Sequence, residues 1–484
     1  MDLLRRYRSA PAADSREFGR RLEEAERVLA AALIEESSTA GASKRAAEIR
    51  AGGPLPFAWN LHFAEVFDGQ NGGFDIVIAN PPYVRARELA KDESGTVEDY
   101  KTRFRSLGHG DKDLYLAFVE QALALAGRAG RVAFIMPNFA RTQAAGPLRE
   151  ILAARGAVDL WVDFGDQQIF DTAINYVALL FLNAQKRGRK QFDVRRPELG
   201  ANYDRLRQDW LERAPKGTCP YREIDDVAEG SHGRNKQSIW RPLSSPERKF
   251  VAQLEAGGHS VGEACSNIGV GVQTSADDVY LLDAIGEGCT GCLRLWSDWA
   301  KAEVELELGA LRPCAKGSAH LKPNHFEKGC WLLWPYDEQG DLSTESAFKA
   351  SFPKAWRYLS KARGRLERRS MDRRTESPGT WMRFGRDQGV RLASMPKILM
   401  PSLMKPATAW YDADGRVAFT ASGKGGGGAY ALIPKDGDKA AKRLTAWLNS
   451  EEAWGWLKLE GDPRLDGWRG IDATVLGRMP FPHN

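Results

Sequence analysis

Asn80-Pro81-Pro82-Tyr83 is the stretch whose residue types could carry out chemistry at a single point. An amine attached to an aromatic heterocycle is a poor nucleophile, because its lone pair is delocalised into the ring. Two acceptors placed on its two hydrogens draw the nitrogen toward a tetrahedral shape and free that lone pair. The Asn80 side-chain oxygen offers one acceptor and the Pro81 carbonyl the other. Two consecutive prolines hold that carbonyl in a fixed, extended geometry. Tyr83 adds a ring face for a planar base that has left a helical stack. Neither a metal nor a covalent enzyme intermediate is needed. The same four residues also suit an ordinary turn, since Asn-Pro and Pro-Pro commonly end strands.

The neighbouring elements decide where this tetrapeptide sits. Phe74 to Ala79 reads as a short apolar strand buried on both faces. The tetrapeptide therefore falls at a strand's carboxyl end, where open α/β sheets bind their ligands. An amphipathic helix is expected over Leu114 to Leu125, a second buried strand over Arg131 to Met136, ended by Pro137-Asn138, and a helix over Gly146 to Ala154. Strands follow over Val158 to Phe164 and Tyr176 to Leu182. Strands alternating with helices indicate a parallel-rich α/β sheet. Upstream, Leu22, Ala25, Val28, Leu29 and Ala32 recur at helical spacing within residues 14–50, until Gly52-Gly53-Pro54 breaks the pattern.

Beyond Gln185, basic and polar residues dominate to about Arg248 and read as a connector. Thirteen of the 15 tryptophans lie beyond residue 200, so the C-terminal half has a core of its own. It mixes short strands (Lys397 to Met400, Ala429 to Ile433) with helices (Lys439 to Ser450). The run Gly425 to Gly428 joins no strand to a helix and fails as a nucleotide loop. The expected organisation is an N-terminal helical segment (1–55), a catalytic half-domain (56–190), a connector (191–250) and a C-terminal domain (251–484).

The totals bound the class. A chain of 484 residues exceeds one core. Its net charge of +5 is too small to establish a nucleic-acid partner. Ten Lys or Arg against four Asp or Glu between Lys361 and Arg391, interleaved with Trp381 and Phe384, fit either a phosphate-contacting face or a solvated, ion-paired helix. No run reaches the ~18 apolar residues of a membrane span, and the first residues lack a signal peptide's apolar core, so a cytoplasmic protein is expected. The six cysteines form no disulfide framework. Cys289 and Cys292 make a CxxC, and a zinc site there is one reading, but Cys314, Cys330, His320 and His325 complete no familiar ligand spacing, so incidental thiols and no metal are expected.

Gly73 to Arg85 closely resembles motif IV of gamma-class adenine-N6 DNA methyltransferases, above all the type IIG and BREX-associated enzymes. Phe57 to Phe67 resembles the aromatic lead-in of that family, Asp113 to Glu120 its next helix, and Gly130 to Asn138 the strand after that. The resemblance implies a Rossmann-like methyltransferase sheet, of which this chain holds the C-terminal half. It also implies S-adenosylmethionine as methyl donor and a flipped adenine held by Asn80, Pro81, Pro82 and Tyr83. Phe170 falls where the family has an aromatic that sandwiches the base against the motif IV tyrosine; core packing is its other reading. Gly271 to Asp278, Leu311 to Gly317, Trp334-Pro335-Tyr336 and Trp447 to Ser450 resemble segments of a TaqI-like specificity domain. The resemblance thus implies a mixed α/β target-recognition domain that reads double-stranded DNA in the major groove. Gln273, Thr274, Lys316 and Arg383 are candidates for that contact, with a structural role the favoured reading of each.

The sequence departs from the family at the cofactor site. The family's Gly-rich turn and acidic residue lie upstream of motif IV, yet no acidic-x-Gly-x-Gly pattern follows a strand before Asn80. Without its usual neighbour, the Phe74 strand is expected to be an exposed apolar edge, which soluble proteins avoid. Three explanations stand: a second chain supplies the missing half, this is a segment of a longer protein, or residues 14–50 cover the edge in a chain that no longer methylates. The rival function is a non-catalytic DNA-specificity module of a restriction or phage-defence complex. An RNA or protein methyltransferase is disfavoured by the large downstream domain, and no nuclease motif stands out.

Overall fold

The computed structural model describes residues 12–36, 42–55, 57, 59–68, 70–85, 88, 96–108, 113–137, 139–140, 142–165, 167, 169, 177–185, 188–197, 214, 216–220, 240–369, 380–421 and 427–482. They fall into two compact units: residues 1–165 with 177–244, and residues 166–176 with 245–484. No described helix is long and apolar enough to cross a membrane.

The first unit is built on a six-stranded sheet. Its strands are β1 (Phe74–Ala79), β2 (Ala126–Pro137), β3 (Val158–Asp163), β4 (Val177–Asn183), β5 (Gln191–Arg195) and β6 (Lys216–Pro220). Their spatial order is β1-β2-β4-β3-β5-β6. β1 with β2 and β3 with β5 run parallel, while β4 runs antiparallel to both β2 and β3, and β6 antiparallel to β5. The sheet is therefore mixed, and the parallel-rich expectation is corrected. The reversal comes from β4, which inserts between two strands that precede it in the chain.

Within residues 191–250, expected as a connector, the described stretches Gln191–Arg195 and Lys216–Pro220 are strands of this sheet. Phe192, Val194, Cys219 and Trp240 are buried in its core. The parallel β1–β2 pair is joined by a crossover that includes helix α3 (Tyr115–Leu125); helix α4 (Gly146–Arg155) follows β2. Leu116, Val119 and Leu123 of α3 and Leu148 and Leu152 of α4 pack with Val132, Phe134, Met136, Trp161, Leu180 and Leu182. These strand residues recur at alternate positions, so one face of the sheet holds the core.

The opposite face is different. Registered pairing sets Ile78, Ala133, Phe181 and Leu160 in one row across four strands. Ile78 is 76% exposed and its neighbour on that face, Ile76, 65%. Upstream, helices α1 (Ala12–Glu36) and α2 (Ala42–Arg50) pack on each other through Ala30, Ala31, Ala46 and Ile49. The single helix expected over residues 14–50 is thus two, and they leave Ile76 and Ile78 uncovered.

The second unit carries two larger sheets. One contains β8 (Leu281–Glu287), β9 (Cys292–Ser297), β10 (Ala302–Glu307), β11 (Leu311–Ala315), β12 (Cys330–Leu333) and β15 (Ala418–Phe419), in the order β10-β9-β8-β12-β11-β15. The other is four-stranded and antiparallel, in the order β14-β13-β16-β7, from β7 (Cys265–Val270), β13 (Lys397–Pro401), β14 (Trp410–Asp412) and β16 (Ala429–Pro434). Helix α5 (Pro353–Glu367) packs Tyr358, Leu359 and Ala362 into the first sheet's core. Helix α6 (Gly437–Leu448) packs beside β13, β14 and β16.

Candidate functional site

β1 is placed by its first residue. Trp59, Phe63 and Phe67 of the aromatic lead-in surround Phe74, with ring centroids 5.7, 5.4 and 5.6 Å away. Just before it, the backbone of Gly73 touches that of β2: a Cβ there would lie 2.5 Å from the Leu125 carbonyl oxygen and 2.6 Å from the Gly127 nitrogen. Only glycine permits that approach. β1 then runs beside β2 and ends at Asn80.

At that end, Asn80 and Pro82 are exposed, Pro81 is buried and Tyr83 is half-buried. The Tyr83 hydroxyl lies 3.2 Å from both the Asn80 Oδ1 and the Ile135 carbonyl. It holds one proton, so it can serve either acceptor fully but not both at once. Its ring meets Tyr115 of α3 edge-on at 6.4 Å. Burial pushes both phenols above their ordinary pKa, so each is a neutral hydrogen-bond donor at physiological pH. The chain leaving Tyr83 is held by Leu114 N donating to the Val84 carbonyl at 2.9 Å.

Because β1 and β2 are parallel, the loop after β2 lies at the same end of the sheet. Arg149, fully buried in α4, holds it: Nη1 donates to the carbonyls of Phe139 and Thr142, both at 2.8 Å. Burial pulls this guanidinium down to about 10, and it stays charged at neutral pH. The sequence offered no signal for this role, because an arginine in a helix is usually a surface residue. Phe170 lies outside the described residues, so its expected place opposite Tyr83 is not part of this geometry.

The candidate base-reading residues fare unequally. Thr274 is fully buried, and its hydroxyl donates to Asp277 and accepts from Ala276 N. Lys316 is mostly covered and sits 3.7 Å from the Asp283 carboxylate. Arg383 pairs with Asp387 at 3.0 Å. Gln273 is half-buried, and its backbone pairs with Arg386.

In the basic stretch, Trp381 and Phe384 are core residues rather than exposed stacking platforms. Arg363 bonds Glu367 and lies over the Trp381 ring, while Arg365 pairs with Asp278. Lys361, Arg368, Arg386 and Arg391 remain exposed. Sequence reasoning passed over Arg312, whose guanidinium stacks on Trp334 at 4.3 Å and donates to Ser394.

Comparison with known proteins bears on this arrangement. Residues 23–170 match the family model of the Eco57I restriction-modification methylase. The chain is 23% identical over 428 residues to the type II restriction enzyme and methyltransferase RM.Eco57I of Escherichia coli, covering 86% of this chain and 41% of that protein. It is 25% identical over 344 residues to the type II methyltransferase M.PaeR7I of Pseudomonas aeruginosa, covering 69% and 53%. In fold it resembles the type IIL restriction-modification enzyme MmeI, solved in complex with DNA, with a TM-score of 0.52, 13% identity and coverage of 84% of this chain and 45% of that one.

Fold and matched segment together show a mixed α/β chain with a Rossmann-like sheet, similar over its matched parts to methyltransferases of restriction-modification systems. The chain spans about half the length of the curated relatives it matches.

Proposed function

We propose that the chain is the catalytic-motif and target-recognition portion of a site-specific DNA adenine-N6 methyltransferase. The observation that carries this reading is Asn80-Pro81-Pro82-Tyr83 at the carboxyl end of β1, with the Asn80 oxygen exposed and the Tyr83 ring beside it.

A target adenine leaves the duplex and lies against Tyr83. Its N6 hydrogens are accepted by Asn80 Oδ1 and the Pro81 carbonyl, which raises the nitrogen's nucleophilicity. The Ile135 carbonyl has a defined part in this. When Asn80 Oδ1 takes a hydrogen from N6, the Tyr83 hydroxyl turns its single proton to Ile135, and neither group loses a partner. Arg149 keeps the neighbouring loop in place. Positioning of the acceptor nitrogen is the main contribution these residues make to rate.

S-adenosylmethionine is the methyl donor this reading requires. Among the described residues, β1 is the first strand, and none of those before it forms the strand-to-helix glycine turn that would cradle that cofactor. Among the described residues, β1 bonds to a neighbouring strand on one side only, and Ile76 and Ile78 lie open beside that edge. The cofactor half therefore joins at β1, as a strand with flanking helices contributed by another chain or by a further segment of the same protein. The open edge also favours a second reading, a DNA-specificity module without catalysis.

One experiment separates the two. The tagged chain is recovered from its native cell with whatever accompanies it. It is then supplied with double-stranded DNA and methyl-labelled S-adenosylmethionine, and the DNA is digested to nucleosides. Label in N6-methyladenosine, absent with Asn80→Ala at equal DNA retention, supports the enzyme. DNA retention without label in any nucleoside supports the module. Titration of S-adenosylmethionine into the purified chain should give no heat; micromolar binding would refute the divided cofactor site.

A further inference from the structure

Three donor side chains of the second unit converge at a point used by nothing above. β8 and β9 are joined by a hairpin through Gly288, Cys289, Thr290 and Gly291. It is closed by Cys292 N donating to the Cys289 carbonyl at 2.8 Å and Gly288 N to the Cys292 carbonyl at 3.2 Å. Gly291 takes the left-handed conformation this turn requires, at φ +77°. The turn brings the Cys289 and Cys292 sulfurs 2.9 Å apart.

Glu305 reaches them from β10, the strand beside β9, and its Oε2 accepts from Cys289 N at 3.1 Å. The two sulfurs and a Glu305 oxygen all lie within 4.8 Å of one another. Gly288 makes room for them, since a Cβ there would lie 2.9 Å from Glu305 Oε2 and 3.2 Å from the Cys292 Cβ.

A cation already sits at the convergence. Lys354, in the first turn of α5, places its ammonium 3.0 and 3.5 Å from the two sulfurs and pairs with Glu305. The start of α5 is fixed there by Glu307, whose carboxylate accepts from Lys354 N at 2.7 Å and Ala355 N at 2.9 Å.

We propose that Cys289, Cys292 and Glu305 bind one thiophilic divalent cation, with zinc the natural occupant, and that Lys354 supports the loaded site from outside the metal's ligands. Two thiolates and a carboxylate suit zinc, and at Zn–S distances of about 2.3 Å its tetrahedral angle sets two sulfurs about 3.8 Å apart. The Cys289 and Cys292 side chains reach that spacing by opening slightly.

Charge balance is satisfied as well. Two thiolates and a carboxylate sum to three negative charges, the metal leaves one, and the Lys354 ammonium cancels it. The lysine stem is part-exposed, so its head can move off the centre and donate to a thiolate. Binding releases two protons, one from each thiol, and weakens as pH falls. The cation ties the β8–β9 hairpin to β10 in the unit proposed to read DNA. Cys314 and Cys330 are buried on neighbouring strands, and neither they nor His320 and His325 join this ligand group.

The test uses the full chain, purified under reducing conditions without chelators. Elemental analysis should find one zinc per chain. After zinc removal, titration with cobalt(II) alone should saturate at one equivalent, with thiolate-to-cobalt charge-transfer absorption. Cys289→Ser with Cys292→Ser should abolish that band. Lys354→Met leaves all three ligands and should weaken cobalt binding by roughly 10–100-fold, the usual cost of an outer partner. Should the double variant fail to fold, Glu305→Gln takes its place, keeping the thiols and losing affinity. The proposal is overturned by a metal-free chain showing only aqueous cobalt absorption, by a band that survives the serine substitutions, or by a Cys289–Cys292 disulfide in the reduced protein.

Discussion

The two units close their surfaces differently. In the first, the sheet is packed on one face by α3 and α4, while at β1 the other face exposes Ile76 and Ile78 beside a strand edge that, among the described residues, is bonded on one side. In the second, the segments that resemble a specificity domain are locked by their own contacts. Tyr336 accepts from Phe384 N at 2.8 Å, Trp447 donates to the Pro480 carbonyl at 2.8 Å, and Asn449 bonds the Ala409 backbone through both its amide atoms. Both units leave groups unanswered, the second exposing Ile285 and Trp296 and burying the Trp334 indole N–H without a hydrogen-bond partner; what sets the first apart is an open strand edge, among the described residues, beside Ile76 and Ile78, a shape that suits a complement. On our reading that complement carries the methyl donor.

Substitutions can break or sharpen this contrast. The largest effect on stability is expected in the packed face: Leu180→Ala should lower the unfolding free energy of the purified chain by about 2–5 kcal/mol in denaturant titration. Tyr83→Ala should next cost about 1–3 kcal/mol of transition-state stabilisation through lost base stacking, read as kcat/KM of the recovered complex. Tyr83→Phe keeps the ring and should cost less than Tyr83→Ala, since only the hydroxyl's contacts are lost. Thr274→Ala should cost about 1 kcal/mol in stability, the price of a lost local bond, and leave the recognised DNA sequence unchanged.

The smallest change is expected at the open face. Ile78→Ala should move stability of the purified chain by no more than about 0.5 kcal/mol. Ile78→Asp, equally mild for the isolated chain, should abolish methylation in the cell. A large stability loss from either Ile78 substitution would mean that the face is already covered.

The strands of the first unit were legible from their apolar runs and alternation, but Phe74–Ala79, expected to be buried on both faces, holds no buried residue and exposes Ile76 and Ile78. The direction of β4 was not legible, since antiparallel insertion changes no residue pattern. β5 and β6 were hidden by basic neighbours, although the alternation of Phe192 and Val194 was their signal. The place of Asn80 at a strand end followed from local order alone. Thr274, for which a structural role is the favoured reading, bonds the backbone two residues on, as threonine hydroxyls do in turns. The group of Cys289, Cys292, Glu305 and Lys354 was beyond sequence reasoning: only the CxxC is local, and the other two arrive through strand pairing and a helix cap set by Glu307.

The central claim is that Asn80 acts on adenine N6. The most direct measurement is the genome-wide map of N6-methyladenine in the native cell, carrying either the unaltered chain or Asn80→Ala at equal abundance. The account predicts that one sequence motif, methylated throughout with the unaltered chain, loses its methylation with Asn80→Ala. A map identical in the two strains would contradict it.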